Sequence, residues 1–381
     1  MLTVPFVNLA AQFRDLEGEL TEAFLRVGRS GQYILGDEVT GFEGALAELC
    51  GCTDVVSVAN ATDGLTLALK ALDIGAGDEV ITAPNSFIAS AGAIAAAGAT
   101  IRFADVGADF NLDPRCVLAA ITPATKAIIP VHLTGNPADM DRFTDIGRTH
   151  GLAVIEDAAQ AIGATYRGRK VGNLGHLACF SLHPLKNLGL LGDAGAIATS
   201  DPQLAAKLRR LRNHGLINRD ESTQWGLNSR LDALQAAFGR VKLRYLPRWT
   251  ARFRAIAAHY HERLGNLVQC PIHRAEDAPV YHNFVVQAVR RDELMEELAK
   301  QGVETKIHYP IPLHLMRAGQ SLGYGTGSFP LTEQQSKRIV SLPIYPELTD
   351  SQVEHVVASV RNALSKTQQS AMTPQAALSP L

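Results

Sequence analysis

The chain has 381 residues, of which 46% are hydrophobic and 19% are charged, and its formal net charge is −2 at pH 7. This length and composition indicate a folded protein large enough for two domains, and they exclude an intrinsically disordered chain. The near-neutral charge gives no electrostatic reason to expect nucleic acid or a membrane surface as a partner.

Five cysteines occur at positions 50, 52, 116, 179 and 270, without a Cys-x-x-Cys pair or a Cys/His cluster of zinc-site spacing. We therefore expect reduced thiols, a cytoplasmic location and no metal site. The first residues lack the basic segment of a signal peptide. The longest run of small apolar residues, 89–101, is too short to cross a bilayer.

The chain opens with two predicted helices, and a short β-branched strand over 55–58 follows them. The next turn, Asn60–Gly64, leads into a helix for which Thr62 or Asp63 is the predicted N-cap. Free amides at a helix N-terminus bind phosphate, so this turn is either a phosphate site or an ordinary capped helix.

The following segments alternate between predicted strands and helices, with Phe87 at a strand–helix junction. The stretch 152–157 is predicted to be a buried strand, and it ends in two carboxylates. Ligands of open α/β sheets lie outside the carboxyl ends of the strands. Asp157 is therefore placed where a carboxylate can keep the ring nitrogen of pyridoxal 5′-phosphate (PLP) protonated.

The stretch Cys179–Gly189 holds one lysine, Lys186, at the end of an apolar run and just before glycine-rich sequence. Partial desolvation lowers the pKa of such a lysine, and its amine can then attack a carbonyl to form a Schiff base. Ser181 can donate its hydroxyl to a phosphate. A single lysine beside a turn usually has no catalytic role. Lys186 together with Asp157, however, supplies the two groups that PLP chemistry needs.

The pattern of predicted elements changes at Pro247, where a long amphipathic helix leads into a second α/β region. We predict a large domain over 1–246, a small domain over 247–365 and a disordered tail over 366–381. A proline-stiffened loop carries His308, Tyr309 and His314. These side chains form either an acid/base or metal cluster or the ordinary polarity of a surface loop, and no third ligand at good spacing supports metal.

The order of a strand ending in Asp157 and, about thirty residues later, Ser-x-x-x-x-Lys is similar to that of fold-type I PLP enzymes. The sequence from Pro5 to Arg361 resembles the sequences of the DegT/DnrJ/EryC1/StrS sugar aminotransferases. The resemblance implies an α/β protein with the PLP-dependent transferase fold of type I. Its large domain would have a mostly parallel central sheet, and its smaller C-terminal domain would also be α/β.

The resemblance also implies a role for each site residue. Lys186 would form the Schiff base with PLP, Asp157 would pair with the ring nitrogen, and Gln160 would contact the ring 3-hydroxyl. Phe87 would stack on the ring, while Ala61, Thr62 and Ser181 would bind the phosphate. Asn228 would reach the phosphate of the partner chain in a homodimer with shared active sites, although from the sequence alone Asn228 and Arg230 are loop and cap residues. Substrate contacts would come from His183, Arg230, His308, Tyr309 and His314.

Three positions differ from the residues that are usual in the family. Ala61 replaces a glycine, which matters little if only its backbone amide is used. Thr134 replaces a tyrosine in His132–Asp141, a motif that is common among relatives that aminate C3 of deoxyhexoses. Ala194 replaces a glycine, and we expect strain there if this position requires positive φ.

By this resemblance the protein is an aminotransferase that uses PLP and cycles through pyridoxamine phosphate. The donor would be L-glutamate, and the acceptor would be a nucleotide-linked keto-deoxysugar, with a 3-keto sugar favoured over a 4-keto sugar. One alternative is a ketocyclitol of the scyllo-inosose type as the acceptor. Another is a sugar dehydratase, which the intact Lys186 disfavours, and a third is a non-catalytic PLP-binding protein. The sequence does not specify the sugar, the nucleotide or the stereochemistry.

Overall fold

The computed structural model describes residues 2–372. Its strands and helices alternate through most of the first 200 residues, as the sequence pattern predicts. The strands are β1 (Asp54–Val58), β2 (Glu79–Thr82), β3 (Thr100–Phe103), β4 (Thr125–Ile129), β5 (Ala153–Asp157), β6 (Thr165–Tyr166), β7 (Arg169–Lys170), β8 (Leu177–Ser181), β9 (Gly195–Thr199), β10 (Phe284–Gln287) and β11 (Ile339–Leu342).

The helices vary from one or two turns to more than twenty residues. They are α1 (Leu9–Ser30), α2 (Asp37–Cys50), α3 (Ala61–Ala71), α4 (Ile88–Ala96), α5 (Pro114–Ala120), α6 (Met140–His150), α7 (Pro202–Leu211), α8 (Ala233–Leu243), α9 (Leu246–Leu264), α10 (Arg291–Lys300), α11 (Pro330–Ser336) and α12 (Asp350–Met372). Short 3-10 turns cover Leu133–Gly135, Leu313–Leu315 and Arg317–Leu322.

Seven strands form the central sheet in the order β1-β9-β8-β5-β4-β2-β3. Strand β9 is antiparallel to both of its neighbours, and the other pairings are parallel. The fold is therefore the α/β fold with a mostly parallel sheet that the sequence predicts. Strand β5 is buried along nearly its whole length, as expected where helices cover both faces of a parallel sheet.

Two apolar cores lie on the two faces of this sheet. One core packs α3, α4 and α7 against the strands, through residues such as Leu69 and Ile94. The other packs α2, α6 and α8 against the opposite face, through residues such as Phe42 and Phe143. The sheet is thus held between two helical layers, which fixes the positions of the loops at its edges.

A separate core forms in the C-terminal part of the chain, between α9, the β10–β11 hairpin, α10 and α12. Tyr260 and Phe284 meet edge to face at its centre, with 5.1 Å between the ring centroids. The domain boundary predicted at Pro247 falls in the first turn of α9. Helix α12 continues to Met372, so the prediction of a disordered tail from residue 366 is wrong for residues 366–372. Residues 373–381 of the predicted tail lie outside the described residues.

The loops that follow β1, β2, β5 and β8 leave the sheet at the same edge, because these strands are parallel to one another. Reversed strand β9 begins at this edge, where Gly195 lies beside Val58 and Ser181. Within residues 2–372, no helix is both long and apolar enough to cross a membrane.

Candidate active site

A cavity of about 590 Å³ opens between the carboxyl edge of the sheet and the C-terminal part of the chain. Most of the residues predicted for the cofactor line it. Those are Ala61, Thr62, Phe87, Asp157, Gln160, Ser181 and Lys186.

Lys186 follows β8 in a tight turn whose ends are held together. The amide of Leu190 donates to the carbonyl of Leu182 at 2.8 Å, and the amide of Lys186 donates to the carbonyl of His183 at 2.8 Å. A Cβ on Gly189 would lie 2.1 Å from the carbonyl oxygen of Pro184, so only glycine fits there. Desolvation lowers the pKa of Lys186 to about 8, although the nearby Asp157 carboxylate opposes the shift. A larger fraction of this amine is therefore neutral and nucleophilic than in an exposed lysine.

Asp157 ends β5 with its carboxylate buried. Its Oδ2 accepts a hydrogen bond from Ser90 Oγ at 2.6 Å, and its Oδ1 accepts one from the amide of Ala159 at 3.2 Å. Burial raises the pKa of Asp157, while these hydrogen bonds and the charge of Lys186 oppose the rise. A buried carboxylate in this state is a good acceptor for a cationic N–H donor.

The N-terminus of α3 forms one wall of the cavity. The N-cap is Asn60, whose side chain accepts from the amide of Asp63 at 2.8 Å, and not Thr62 or Asp63 as we predicted. The helix therefore starts at Ala61, and the first amides, including those of Ala61 and Thr62, have no acceptor within the helix. A Cβ on Gly195 would lie 2.7 Å from the nitrogen of Ala61, so this glycine permits the close approach of β9.

Gln160 and two aromatic rings form the next part of the wall. Phe87 is 53% exposed, which is unusual for phenylalanine, and its ring centroid lies 5.7 Å from that of Tyr309. Gln160 Oε1 accepts from the amide of Thr134 at 2.6 Å, and its Nε2 lies 3.5 Å from the Tyr309 hydroxyl. Thr134, which replaces the usual tyrosine, has a left-handed backbone conformation with φ of 59°. Its amide is the donor to Gln160.

The residues predicted to contact substrate fall into two groups. His183, His308 and Tyr309 line the cavity. His314 does not: it is 1% exposed, and its Nε2 lies 3.1 Å from the carboxylate of Glu333, so this chain uses it to hold its own loops. That placement corrects our expectation of a substrate contact for His314.

Asn228 and Arg230 also lie outside the lining of this chain's cavity. Asn228 is exposed and pairs through its backbone with Asn213, whose side chain accepts from Arg230 Nη1 at 2.9 Å. Ala194 has negative φ, so the strain that we considered for it does not arise.

Two residues that the sequence analysis missed contact the predicted catalytic pair. Ser90 binds Asp157 as described above, and His282 Nε2 lies 3.5 Å from Lys186 Nζ. Ser90 lies in an alanine-rich helix, and His282 precedes strand β10, 96 positions after Lys186. The sequence around neither residue indicates a role in the site. Among the described residues, no group of His, Cys, Asp and Glu side chains could hold a metal ion.

The residues present fit PLP. The open amides of α3 and the hydroxyl of Ser181 suit a phosphate, and the carboxylate of Asp157 suits a protonated ring nitrogen. The exposed face of Phe87 suits the ring itself, and Lys186 supplies the amine.

The comparisons with known proteins agree with this chemistry. Residues 14–361 match the model of the DegT/DnrJ/EryC1/StrS aminotransferase family. The dTDP-3-amino-3,4,6-trideoxy-alpha-D-glucose transaminase of Streptomyces venezuelae is 43% identical over 369 residues, which cover 96% of this chain and 97% of that protein. The dTDP-3-amino-3,6-dideoxy-alpha-D-galactopyranose transaminase of Aneurinibacillus thermoaerophilus is 45% identical over 359 residues, which cover 94% and 98%.

Solved structures show the same architecture. A crystal structure of S. venezuelae DesV superposes with a TM-score of 0.94 at 43% identity, covering 96% of this chain and 99% of that one. The similarity therefore extends over the sheet, the cavity and the C-terminal part together.

Proposed function

The chain belongs to the DegT/DnrJ/EryC1/StrS aminotransferase family and is a PLP-dependent sugar aminotransferase, and from this premise we propose its substrates. The donor is L-glutamate, and the acceptor is a nucleotide-linked 3-keto-6-deoxyhexose, which becomes a 3-amino sugar. The observation that carries the aminotransferase chemistry is the desolvated amine of Lys186 in one cavity with the buried carboxylate of Asp157.

The choice of the 3-keto position rests on two supports. The motif His132–Asp141 resembles that of relatives that aminate C3. Both relatives compared above, at 43% and 45% identity, carry names of 3-amino sugars linked to dTDP.

When bound, PLP supplies an electron sink that weakens the Cα–H bond of the donor amino acid. Asp157 would accept a hydrogen bond from the ring N–H and would keep that nitrogen protonated. The amides of Ala61 and Thr62, with the Ser181 hydroxyl, would hold the phosphate, and Phe87 would pack against the ring. Lys186 Nζ, once free and neutral, would take the proton from the donor's Cα and would deliver it to C4′ of the cofactor.

The rest of the cavity wall suits a hydroxylated acceptor. His183, His308 and Tyr309 offer hydrogen-bonding side chains to the cavity that also holds Lys186. Burial and the nearby charges of Lys186 and Lys306 lower the pKa of His308 to about 4, so His308 is neutral at physiological pH. Neutral imidazole and phenol groups bind sugar hydroxyls without adding charge to the site.

The first test is the absorption spectrum of purified holoenzyme before and after L-glutamate is added. We expect conversion of the PLP spectrum to that of pyridoxamine phosphate. The aminated enzyme is then offered 3-keto sugar nucleotides, 4-keto sugar nucleotides and ketocyclitols, and the 3-keto sugars should restore the PLP spectrum fastest. No response to glutamate would overturn the donor, and faster reaction with a 4-keto sugar or a ketocyclitol would overturn the acceptor.

A further inference from the structure

His282 is the histidine that faces the amine of Lys186. The distance from His282 Nε2 to Lys186 Nζ is 3.5 Å, and His282 is half-buried and lines the cavity. The contact joins the C-terminal part of the chain to the turn that follows β8.

The backbone on the N-terminal side of His282 is fixed by two segments of the active site. The carbonyl of Val280 accepts from Asn187 Nδ2 at 3.0 Å, and Asn187 is the residue next to Lys186. The amide of Val280 donates to the carbonyl of Gly135 at 3.0 Å. The imidazole therefore does not reach Lys186 by chance, because the chain leading to it is tied to the lysine turn itself.

Gly135 makes the close approach of this segment possible. It has φ of 86°, and a Cβ there would lie 2.9 Å from a methyl carbon of Val280 and 3.0 Å from the amide nitrogen of His282. The same Cβ would lie 2.9 Å from the carbonyl oxygen of Gln160. The turn before α6, the cofactor wall and the His282 segment thus meet at one glycine.

The groups around His282 determine its charge. It is buried away from water, and the nearby Lys186, His308 and His183 add to the effect of burial. Together they lower the pKa of His282 well below its ordinary value, with burial the larger cause. A neutral imidazole has one ring nitrogen with a free lone pair, which accepts a hydrogen bond from an ammonium group.

We propose that His282 is a positioning residue for Lys186, and that its neutral Nε2 accepts a hydrogen bond from the protonated amine. The proposal rests on the function proposed above, in which Lys186 takes a proton from the donor's Cα and must hold it before returning it. In that interval the ammonium is half-buried, and a hydrogen bond to His282 keeps it in place and stabilises its charge.

The test compares three replacements that separate the acceptor from the packing. In His282→Gln the side-chain oxygen can reach the place of Nε2, whereas in His282→Asn the same amide ends nearer the backbone. His282→Phe keeps a ring and removes the acceptor. His261→Phe is the control, because His261 packs against Phe284 in the C-terminal core and does not line the cavity.

The readout is the pKa of the Lys186 amine in the apoenzyme, measured from the pH dependence of its acetylation by limiting acetic anhydride and peptide mass spectrometry. We expect His282→Asn and His282→Phe to lower that pKa by about 0.5 to 1 unit, since they remove one hydrogen bond from the ammonium form. His282→Gln should recover at least about half of the shift, and His261→Phe should not change it. Equal values in His282→Asn, His282→Gln and the parent protein would overturn the proposal.

A second readout separates this proposal from the proposed function. The holoenzyme is reduced with borohydride, and the lysine that carries the cofactor is identified by peptide mass spectrometry. If the label is not on Lys186, the proposed function fails at its nucleophile. If Lys186 is labelled but the His282 variants neither shift its pKa nor slow the glutamate half-reaction, only the role of His282 is overturned.

Discussion

The imidazole of His132 and the carboxylate of Glu156 are fully buried against each other, with 3.0 Å between Nε2 and Oε2. The amide of Ala138 donates to His132 Nδ1 at 3.0 Å, so Nε2 carries the hydrogen and donates it to the carboxylate. Glu156 also accepts from three backbone amides, those of Gly172, Leu174 and Gly175. Glu156 precedes Asp157 on β5, and because successive side chains of a strand point to opposite faces, the two carboxylates serve different purposes.

We predict that Glu156→Ala destabilises the protein strongly, by about 3–5 kcal/mol, because it leaves His132 and several amides buried without an acceptor. The free energy of unfolding is to be measured by urea denaturation of the apoenzyme. The control is Asp145→Ala, which breaks the ion pair with Arg148, whose side chains are 63% and 81% exposed. That change should stay within about 1 kcal/mol, and similar losses for both variants would contradict the prediction.

We predict that Asp157→Asn retains the cofactor but loses most of its activity. The amide has nearly the shape of the carboxylate and can still contact Ser90, but it does not hold a positive charge on the ring nitrogen. The rate of the glutamate half-reaction should fall about 100-fold or more, while PLP absorbance shows that the cofactor stays bound. Ser90→Ala, which keeps the carboxylate, should cost much less, and a fully active Asp157→Asn enzyme would remove the pyridinium role.

The sequence allowed prediction of the features that depend on local pattern and order. The strand that ends at Asp157 forms as predicted, since a continuous apolar stretch favours a buried strand. The apolar run before Lys186 contains strand β8. The residues predicted to bind the cofactor meet at one edge of the sheet, because parallel strands bring their carboxyl ends together.

Contacts between distant segments could not be read from local pattern. His282 reaches Lys186 across 96 positions of the chain, through a turn that only the folded packing of Val280 on Gly135 creates. The N-cap at Asn60 was missed by two or three positions, since neighbouring polar residues are all suitable caps. His314 resembles a ligand in the sequence, but a buried glutamate from α11 pairs with it in the structure.

We predict that Gly189→Ala disrupts the turn that carries Lys186. The new Cβ would lie 2.1 Å from the carbonyl oxygen of Pro184, so the turn must open and the amine must move away from the site. PLP binding should weaken, with a loss of stability of about 1–3 kcal/mol. Gly92→Ala is the matched control, because it lies in α4 with nothing within 4 Å of the new Cβ, and it should be neutral or stabilising by up to about 1 kcal/mol. Normal PLP affinity in Gly189→Ala would contradict the prediction that this turn holds Lys186 in the site.

Lys242 provides a prediction about pH. It is 5% exposed, donates to the carbonyl of Gly189 and to Gln12 Oε1, and burial lowers its pKa to about 8. The unfolded chain, with a lysine pKa near 10.5, therefore binds more protons than the folded protein between about pH 8 and 10.5, so this group favours folding increasingly as pH rises.

We expect the stability of the parent protein relative to Lys242→Met to increase between pH 7.5 and about pH 9.5, by urea denaturation at both values. Lys207→Met is the control, since Lys207 pairs at the surface with the exposed Asp73. Its stability relative to the parent should change little over the same interval. If the difference in free energy of unfolding between the parent protein and Lys242→Met is constant with pH, the pKa of Lys242 is not lowered in the folded state.

The last prediction concerns Asn228, which lies outside the cavity of its own chain. It is exposed at the base of a segment that also presents Trp225, which is 97% exposed, and such a surface suits a second copy of the chain. If Asn228 serves the partner's site, Lys186→Ala and Asn228→Ala damage different halves of each shared site. Each variant alone should lose most of its activity. A hybrid dimer should then contain one intact site, with Lys186 from one chain and Asn228 from the other.

The measurement is activity after the two variants are mixed, unfolded and refolded together, with each variant refolded alone as the control. Random pairing should give about a quarter of the parent activity, because about half of the dimers are hybrids and each hybrid has one intact site of two. If Asn228 acts within its own chain, or the protein is a monomer, mixing restores nothing, and the shared site is refuted. Recovery close to a quarter requires that the two residues act from different chains.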